Sequence, residues 1–318
     1  MPHDSYIIGH HSHRYRVVPG WGALDSGKYP VNDCHEMVID ANQHIYLLTN
    51  ETKNNILVYN QSGKLIKSWG HDFPGGHGLS LFAENGEAFL FVCDHVRHQV
   101  IKTSLDGDVL MTIDYPVQTG VYTSAGQFNP TETAIAPNGD IYVTDGYGLQ
   151  YVIQYSGNGE YIRHWGGKGN TDGQFDCVHG IAVDQRNKED PSLIITSRNH
   201  NAFKRFTMDG VYLETIYLPG SFVCRPVIKG AHLYAAVFRS ESNTQSGSGF
   251  ITILDKNNKV ISTPGGTEPV YQDNHLAPQR QATGTFIHPH DVCIDDDENV
   301  YVCQWKADKS YPLKLVRV

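Results

Sequence analysis

Four histidines of this chain stand at matching places, each directly before a short apolar run. Neutral imidazoles that converge from several strands form a site for a divalent transition metal, and three protein nitrogens with one open position are typical of catalytic sites. The residues therefore indicate metal-assisted chemistry, with zinc (Zn2+) as the first metal and iron (Fe2+) as the second. The four segments are Cys34-His35-Glu36-Met37, Gly76-His77-Gly78-Leu79, Val178-His179-Gly180-Ile181 and Pro289-His290-Asp291-Val292.

The same histidines could instead fill a polar channel and bond only backbone groups, an arrangement that needs no metal. Four histidines among six equivalent places favour the metal site over a plugged channel. Those six places, one in each of the repeats described next, are His35, His77, Thr131, His179, Arg225 and His290.

The elements that must position these residues are short strands in repeats of about 40 residues. Residues 35–70 show the plan, because their four strand-like runs are separated by turns that include Asn42-Gln43 and Gln61-Ser62-Gly63. Four antiparallel strands in a unit of this length form one blade of a β-propeller. Five further units follow, so the pattern predicts a single all-β domain over residues 14–318, a six-bladed β-propeller.

The two ends of the chain complement each other. The sixth unit begins at His290 and stops one strand short after residues 313–318, whereas residues 14–18 form a strand without a unit of its own. Pairing the first strand with the last blade would leave no open sheet edge between them. We therefore expect the N-terminal strand to close the ring, and we expect residues 1–13 to be a flexible N-terminal segment.

Residues that follow the second strand of each blade should surround the metal on one face. Tyr147 could act as an acid or base there, and Arg198 could anchor an anionic or carbonyl substrate. Alternatively, Tyr147 could only pack, and Arg198 could only pair with Asp94 or Asp145. The remaining residues predicted to line the substrate pocket are Asn50, His95, Arg225, Arg239 and Trp305.

Composition restricts the partners and the compartment. The formal net charge of −9 offers no electrostatic reason to bind nucleic acid or an anionic membrane. No apolar run approaches the length of a membrane span, and the polar N-terminal segment lacks a signal core. The six cysteines follow no small-domain disulfide pattern. We therefore expect reduced thiols and a cytoplasmic protein whose partner is a small-molecule or peptide substrate.

The repeats resemble NHL repeats, and the motifs are similar to those of the peptidyl-α-hydroxyglycine α-amidating lyase family. That family is a six-bladed NHL propeller with a zinc ion held by three histidines. The resemblance covers most of the chain from about Cys34 onward. It is carried by His77-Gly78-Leu79, Pro130-Thr131, Asp145-Gly146-Tyr147, Val178-His179, Arg198-Asn199 and Pro289-His290-Asp291.

The resemblance implies a role for each matching residue. His77, His179 and His290 would be the zinc ligands, Tyr147 the catalytic base and Arg198 an active-site arginine. His35 has no counterpart as a ligand in the family and is a candidate fourth ligand. The family also holds a structural calcium ion (Ca2+) near the axis, and the residues that fall on its places are Asp291, Leu79 and Met37.

The sequence departs from the family at places that concern the substrate. The family's arginine after the second strand of the first blade falls at about Asn50, and a methionine near its last ligand is His288. We predict a metal-dependent, lyase-like enzyme that acts on a small polar hydroxy or carbinolamide substrate at the channel mouth. The alternatives are a non-catalytic NHL scaffold that binds a protein or ligand on its top face, and a metal-dependent hydrolase.

Overall fold

In the computed structural model the chain consists almost entirely of short antiparallel strands, and residues 6–241 and 247–318 are described. Strands such as residues 45–49 and 56–59 are buried along their whole length. Both faces of these strands are covered by neighbouring sheets, which explains why they are continuous apolar runs without polar alternation. The all-β prediction is confirmed.

The first two strands belong to the same sheet as the end of the chain. They are β1 (Ile7–His10) and β2 (His13–Val18). Blades 1 to 3 follow, each a four-stranded antiparallel sheet. Their strands are β3 (Cys34–Ile39), β4 (Ile45–Thr49), β5 (Ile56–Tyr59), β6 (Leu65–Trp69), β7 (Gly76–Glu84), β8 (Glu87–Asp94), β9 (Gln99–Ser104), β10 (Val109–Ile113), β11 (Glu132–Ile135), β12 (Ile141–Thr144), β13 (Tyr151–Tyr155) and β14 (Tyr161–Gly166).

Blades 4 to 6 complete the ring, and a small hairpin and short 3-10 helices lie in the connections. The helices span Val117–Thr119, Ala125–Gln127 and Arg198–His200. The strands are β15 (Val178–Asp184), β16 (Ser192–Ser197), β17 (Ala202–Thr207), β18 (Tyr212–Tyr217), β19 (Phe222–Val223), β20 (Val227–Lys229), β21 (His232–Arg239), β22 (Phe250–Leu254), β23 (Val260–Ser262), the hairpin β24 (Tyr271–Gln272) and β25 (His275–Leu276), then β26 (Pro289–Ile294), β27 (Val300–Gln304) and β28 (Leu313–Arg317).

The N-terminal strand closes the ring as predicted. Strand β2 pairs antiparallel with β28, so that Tyr15 lies opposite Arg317 and Val17 lies opposite Leu315. Strand β1 in turn pairs with β2 and gives blade 6 a fifth strand. Within the segment that was expected to be flexible, residues 7–10 pair with residues 13–16. Residues 1–5 of that segment lie outside the described residues.

Adjacent blades pack through clusters of buried side chains, one cluster for each neighbouring pair. Leu48 of blade 1 packs in the same cluster as Val92 of blade 2. At the closure, Val17 joins Val302 of blade 6 and Ile251 of blade 5. Among the described residues all six interfaces around the ring are filled in this way. The sheets are therefore held to each other mainly by apolar burial.

Two observations bear on the environment of the protein. Within residues 6–241 and 247–318, no helix has the length and apolar character needed to cross a membrane. The six cysteines are free thiols, and Cys177 is the one that is partly exposed.

Closure by β2 predicts a large difference between two substitutions in that strand. Val17→Asp would bury an unpaired carboxylate in the interface between blades 5 and 6, because Val17 is only 5% exposed. We expect a loss of about 3 kcal/mol in the free energy of unfolding, measured by urea denaturation. Arg16→Asp is the matched control, since Arg16 lies on the exposed face of the same strand. Equal effects of the two substitutions would contradict the closure.

Candidate metal centre and adjoining cavity

The four histidines reach the axis through irregularities in strand pairing. In each of four blades the register between the first and second strand shifts at the histidine, and a β-bulge of this kind leaves a residue without an opposite partner and redirects its side chain. The shifts lie between Cys34 and Glu36, between Gly76 and Gly78, between Val178 and Ile181, and between Pro289 and Asp291. The equivalent places of the histidines are visible in the sequence, whereas the bulges are not.

The imidazole rings form one compact cluster. The ring centroids of His77 lie 4.8 Å from His35, 4.7 Å from His179 and 4.9 Å from His290. The rings of His35 and His179 each lie 5.0 Å from His290. All four side chains are buried. The structure therefore brings together the three predicted ligands and the candidate fourth.

Glycine next to two of these histidines permits the close approach of the innermost strands. A Cβ atom on Gly78 would lie 2.5 Å from the carbonyl oxygen of Thr131, and one on Gly180 would lie 2.6 Å from the Cα of Arg225. Contacts this short would force the strands apart. The histidine layer can therefore be this narrow only with glycine at both places.

Backbone carbonyls set the tautomers of two of the rings. Nδ1 of His77 lies 2.8 Å from the carbonyl oxygen of Thr131, and Nδ1 of His290 lies 2.9 Å from that of His35. A ring nitrogen that faces a carbonyl oxygen must carry the proton. The Nε2 atoms of His77 and His290 therefore carry no proton, and their lone pairs are available to bind a metal. Metal-ligating histidines are oriented by a carbonyl in the same way.

The donor set fits a divalent transition metal. The candidate ligand atoms of His35, His77 and His290 all lie within 4.8 Å of one another, and Nε2 of His179 lies 3.2 Å from Nε2 of His77. The group of ligand atoms that lie close enough to hold one ion is therefore His35, His77 and His290, and the predicted ligand His179 adjoins this group through His77. Nδ1 of His35 and Nδ1 of His179 are buried without a hydrogen-bond partner among the described residues. Nitrogen donors of this kind suit zinc or iron.

Burial keeps these imidazoles neutral. It lowers the pKa of His77, His179 and His290 well below the usual 6.5, and neighbouring histidines lower it further. The charge of Arg198 also lowers the pKa of His179 and His290. The pKa of His35 is lowered to about 4, again mainly by burial. Neutral imidazole is the form that binds metals, so protons compete weakly for the cluster at neutral pH.

The loop after β12 places Tyr147 against the cluster. Its hydroxyl lies 3.0 Å from Nε2 of His77 and 3.2 Å from Nε2 of His179. The loop is held by Asp145, whose carboxylate accepts bonds from the amides of Asn129 and Leu149, both at 2.6 Å. Tyr147 as a whole residue is 43% exposed, but its hydroxyl points inward to the two histidines. Burial of that hydroxyl raises its pKa, while the charge of Arg198 opposes the rise.

Arg198 lies in the wall of a cavity beside the cluster. Its guanidinium donates to the carbonyl oxygen of Val223 at 3.3 Å and to Sγ of Cys224 at 3.1 Å. Asp94 and Asp145 accept bonds from their own loops, so the alternative of a pair with either aspartate finds no support in these contacts. The cavity has a volume of about 230 Å³ and is lined by Tyr147, Cys177, Arg198, Asn199, Phe238, Arg239, His290 and Trp305.

Two of the five additional pocket residues line this cavity, namely Arg239 and Trp305. His95 lies nearby, with its ring centroid 5.8 Å from that of Tyr147. Asn50 instead accepts hydrogen bonds from Asn32 and from the amide of Asp33, at 3.0 Å each, and orders the loop before β3. Phe238, which precedes Arg239 at the end of the same strand, also lines the cavity, and so does Cys177, which no motif in the sequence distinguishes.

The placement of Arg225 in the substrate pocket was wrong. Its side chain turns away from the cavity and donates to both carboxylate oxygens of Asp291 and to the carbonyl oxygens of Leu79 and Met37. These are the residues that were expected to hold calcium. The expectation of a calcium site is therefore also wrong, since a guanidinium already occupies its oxygens.

Burial also acts on the carboxyl groups around Arg225. It raises the pKa of Glu36 well above the usual range and that of Asp291 to about 6, while the charge of Arg225 acts against both increases.

The depressed pKa values of the histidines predict how stability changes with pH. Between pH 7.5 and 5.5 the unfolded chain protonates histidines that stay neutral in the folded protein, so stability falls as pH decreases. In metal-free protein, His179→Gln should reduce this loss by about 1.4 kcal/mol. The loss is measured as the difference between the free energies of unfolding in urea at pH 7.5 and at pH 5.5.

The comparison of these two proteins isolates His179, because the raised pKa values of Glu36 and Asp291 act in the opposite direction in both. An identical pH dependence of the two proteins would contradict a neutral His179 in the folded state.

The sequence was also compared with known proteins. No family model matches. The peptidyl-alpha-hydroxyglycine alpha-amidating lyase 1 of Drosophila melanogaster is 35% identical over 112 residues, 33% of this chain and 19% of that protein. The peptidyl-glycine alpha-amidating monooxygenase A of Xenopus laevis is 30% identical over 269 residues, 78% of this chain and 25% of that protein. NHL repeat-containing protein 3 of Homo sapiens is 26% identical over 136 residues, 41% of this chain and 39% of that protein.

The chain spans less than half the length of these relatives. Solved structures agree on the fold. A gluconolactonase from Xanthomonas campestris superimposes with a TM-score of 0.64 at 12% identity, over 99% of this chain and 95% of that one. A streptogramin B lyase gives a TM-score of 0.58 at 14% identity, over 90% and 94%. The chain is a six-bladed β-propeller whose sequence resembles the NHL-repeat proteins and the peptidyl-α-hydroxyglycine α-amidating lyases.

Proposed function

We propose that the protein is a metal-dependent, lyase-like enzyme that acts on a small polar substrate with a hydroxyl or carbinolamide group. The observation that carries the proposal is the position of the Tyr147 hydroxyl. It lies within 3.2 Å of the Nε2 atoms of two buried, neutral histidines and at the edge of a cavity that also contains Arg198. An acid or base, a metal site and a cationic anchor around one small cavity form a set suited to proton transfer.

The metal would be held by His77 and His290 together with His179 or His35, and zinc is favoured over iron. When bound, such an ion supplies a Lewis acid that polarises an oxygen of the substrate. The pKa of Tyr147 would fall once the neighbouring imidazoles hold a dication, because positive charge favours the phenolate. Tyr147 is then suited to accept a proton from a substrate hydroxyl.

The chain's own residues account for the remaining steps. Tyr147 takes the proton of the α-hydroxyl, the carbon–oxygen bond becomes a carbonyl, and the carbon–nitrogen bond breaks. The electron pair of that bond goes to the amide nitrogen, and Tyr147 passes to this nitrogen the proton that it took from the hydroxyl. Arg198 and Arg239 face the same cavity, and its lining within the described part of the chain includes no carboxylate. They therefore suit an anionic or carbonyl group of the substrate. Phe238 and Trp305 provide apolar walls that exclude water.

We further propose a cytoplasmic protein whose partner is a small molecule or the end of a peptide. The free thiols are compatible with a reducing compartment. The net charge of −9 supports the absence of a nucleic-acid or membrane partner.

A hydrolase is the second candidate, and the fold shared with a gluconolactonase motivates it. A hydrolase adds water across the bond that it cleaves, whereas a lyase does not. Reaction in water labelled with oxygen-18 separates the two, and we expect no label in the product carbonyl immediately after formation. A non-catalytic scaffold would show no turnover with any α-hydroxyglycine amide or lactone.

Removal of the Tyr147 hydroxyl tests the catalytic assignment. Tyr147→Phe should lower kcat on an α-hydroxyglycine amide by at least about 100-fold, because a general acid or base contributes 10²–10⁴-fold. The metal content, measured by elemental analysis, should stay the same. Tyr217→Phe, an exchange at an exposed tyrosine on β18, is the matched control. Full activity of Tyr147→Phe would remove the proposed role.

The metal site is tested by comparing histidine variants of protein purified without an affinity tag. His77→Ala and His290→Ala should each lose zinc or iron, since both residues belong to the group of three close ligand atoms and to the ligand set that the resemblance implies. His35→Ala and His179→Ala are compared in the same way. If one of them retains the metal, the histidine replaced in that variant does not bind the ion. A folded wild-type protein without metal above background would favour the scaffold.

A further inference from the structure

A layer of buried acids lies directly next to the histidine layer. Each acid follows one of the inner-ring residues in sequence: Glu36 follows His35, Glu132 follows Thr131 and Asp291 follows His290. All three side chains have no exposed surface. Buried carboxylates require charged or hydrogen-bonding partners, so this layer must contain a cation or donors in comparable number.

Arg225 supplies that cation from blade 5. Nε and Nη2 donate to the two carboxylate oxygens of Asp291, at 3.1 and 2.6 Å. Nη1 donates to the carbonyl oxygen of Leu79 at 3.0 Å, and Nη2 donates to that of Met37 at 2.8 Å. The guanidinium therefore bridges blades 1, 2, 5 and 6 across the axis. A planar fork with five donors matches such a set of oxygens in a way that a lysine cannot.

The two other carboxylates surround the same guanidinium at a greater distance. Oε2 of Glu132 lies 3.6 Å and Oε2 of Glu36 lies 3.9 Å from its nitrogens. Glu36 also accepts a hydrogen bond from the amide of Leu79 at 2.6 Å, and Glu132 accepts one from the hydroxyl of Ser80 at 3.1 Å. The strands of this layer are thus connected to their neighbours by oxygen atoms that surround the guanidinium of Arg225.

We propose that Arg225 is a built-in cation that occupies a divalent-cation site at the propeller axis and makes the fold independent of calcium. Carboxylate and backbone carbonyl oxygens are the donors that calcium takes. Here the Asp291 carboxylate and the carbonyls of Leu79 and Met37 are saturated by guanidinium bonds instead. Removal of the arginine would leave these oxygens, with Glu36 and Glu132 beside them, as a vacant site for a hard cation.

The first test uses the wild-type protein. Thermal unfolding is followed in millimolar calcium chloride and in excess EGTA, and calcium content is measured by elemental analysis after dialysis. We expect the same Tm in both solutions and no stoichiometric calcium. A Tm that rises with calcium, or one calcium ion per chain, would overturn the proposal.

The second test converts the site. Arg225→Ala should lower Tm by about 10 °C in EGTA, because it leaves buried carboxylates without their cation. Millimolar calcium should restore much of that loss, and the same concentration of magnesium should restore less, because magnesium demands near-ideal octahedral geometry. Arg225→Ala combined with Asp291→Asn should lose the calcium effect. Arg225→Lys keeps a positive charge but loses the planar guanidinium. Its Tm should lie between those of the wild type and Arg225→Ala and should not change with calcium.

These outcomes separate the proposal from a merely structural arginine. If Arg225→Ala is destabilised and calcium gives no recovery, then Arg225 does not occupy a cation site and the proposal fails. If Arg225→Ala does not fold, the proposal is still tested by the Tm of the wild type in calcium and in EGTA and by the calcium response of Arg225→Lys. None of these measurements depends on catalytic activity, so they are independent of the proposed lyase chemistry.

Discussion

Four β-bulges determine where the chemistry of this protein can take place. In a regular strand successive side chains alternate between the two faces, and in a propeller blade both faces pack against neighbouring blades. A regular first strand would therefore direct its histidine into an apolar interface. The bulges at His35, His77, His179 and His290 release these residues from the alternation. The residues that follow, such as Met37 and Leu79, return to the interfaces.

Two layers of different chemistry result along the axis. The histidine layer is neutral and offers nitrogen donors, whereas the acid layer offers oxygen donors and already contains a cation in Arg225. Borderline transition metals prefer the first kind of donor and hard cations such as calcium prefer the second. The arrangement therefore separates a set of neutral nitrogen donors from a permanent charge over a few residues of sequence. It also connects the two, because Asp291 directly follows His290.

Much of the fold could be predicted from the sequence, because blades, turns and the missing sixth-blade strand are local patterns. The equivalent inner positions also identified all four histidines and Arg225. What failed was the direction of a long side chain: Arg225 was expected in the cavity but reaches the acids across the axis. Register shifts are set by tertiary packing and leave no signal in a single sequence. The pairing of β1 was missed because Ile7–His10 depends on a hairpin with an unusual glycine, Gly9, at φ 97°.

The pairing of β2 with β28 also has a consequence for biosynthesis. The two partners are about 300 positions apart in the chain. While a ribosome is still making the last blade, the earlier blades can form as local sheets, but the circle stays open. The edge of β27 and the apolar flank of blade 5 are then uncovered until residues 313–317 emerge. Unpaired strand edges pair readily with other chains, so translation that stalls before residue 313 should favour aggregation.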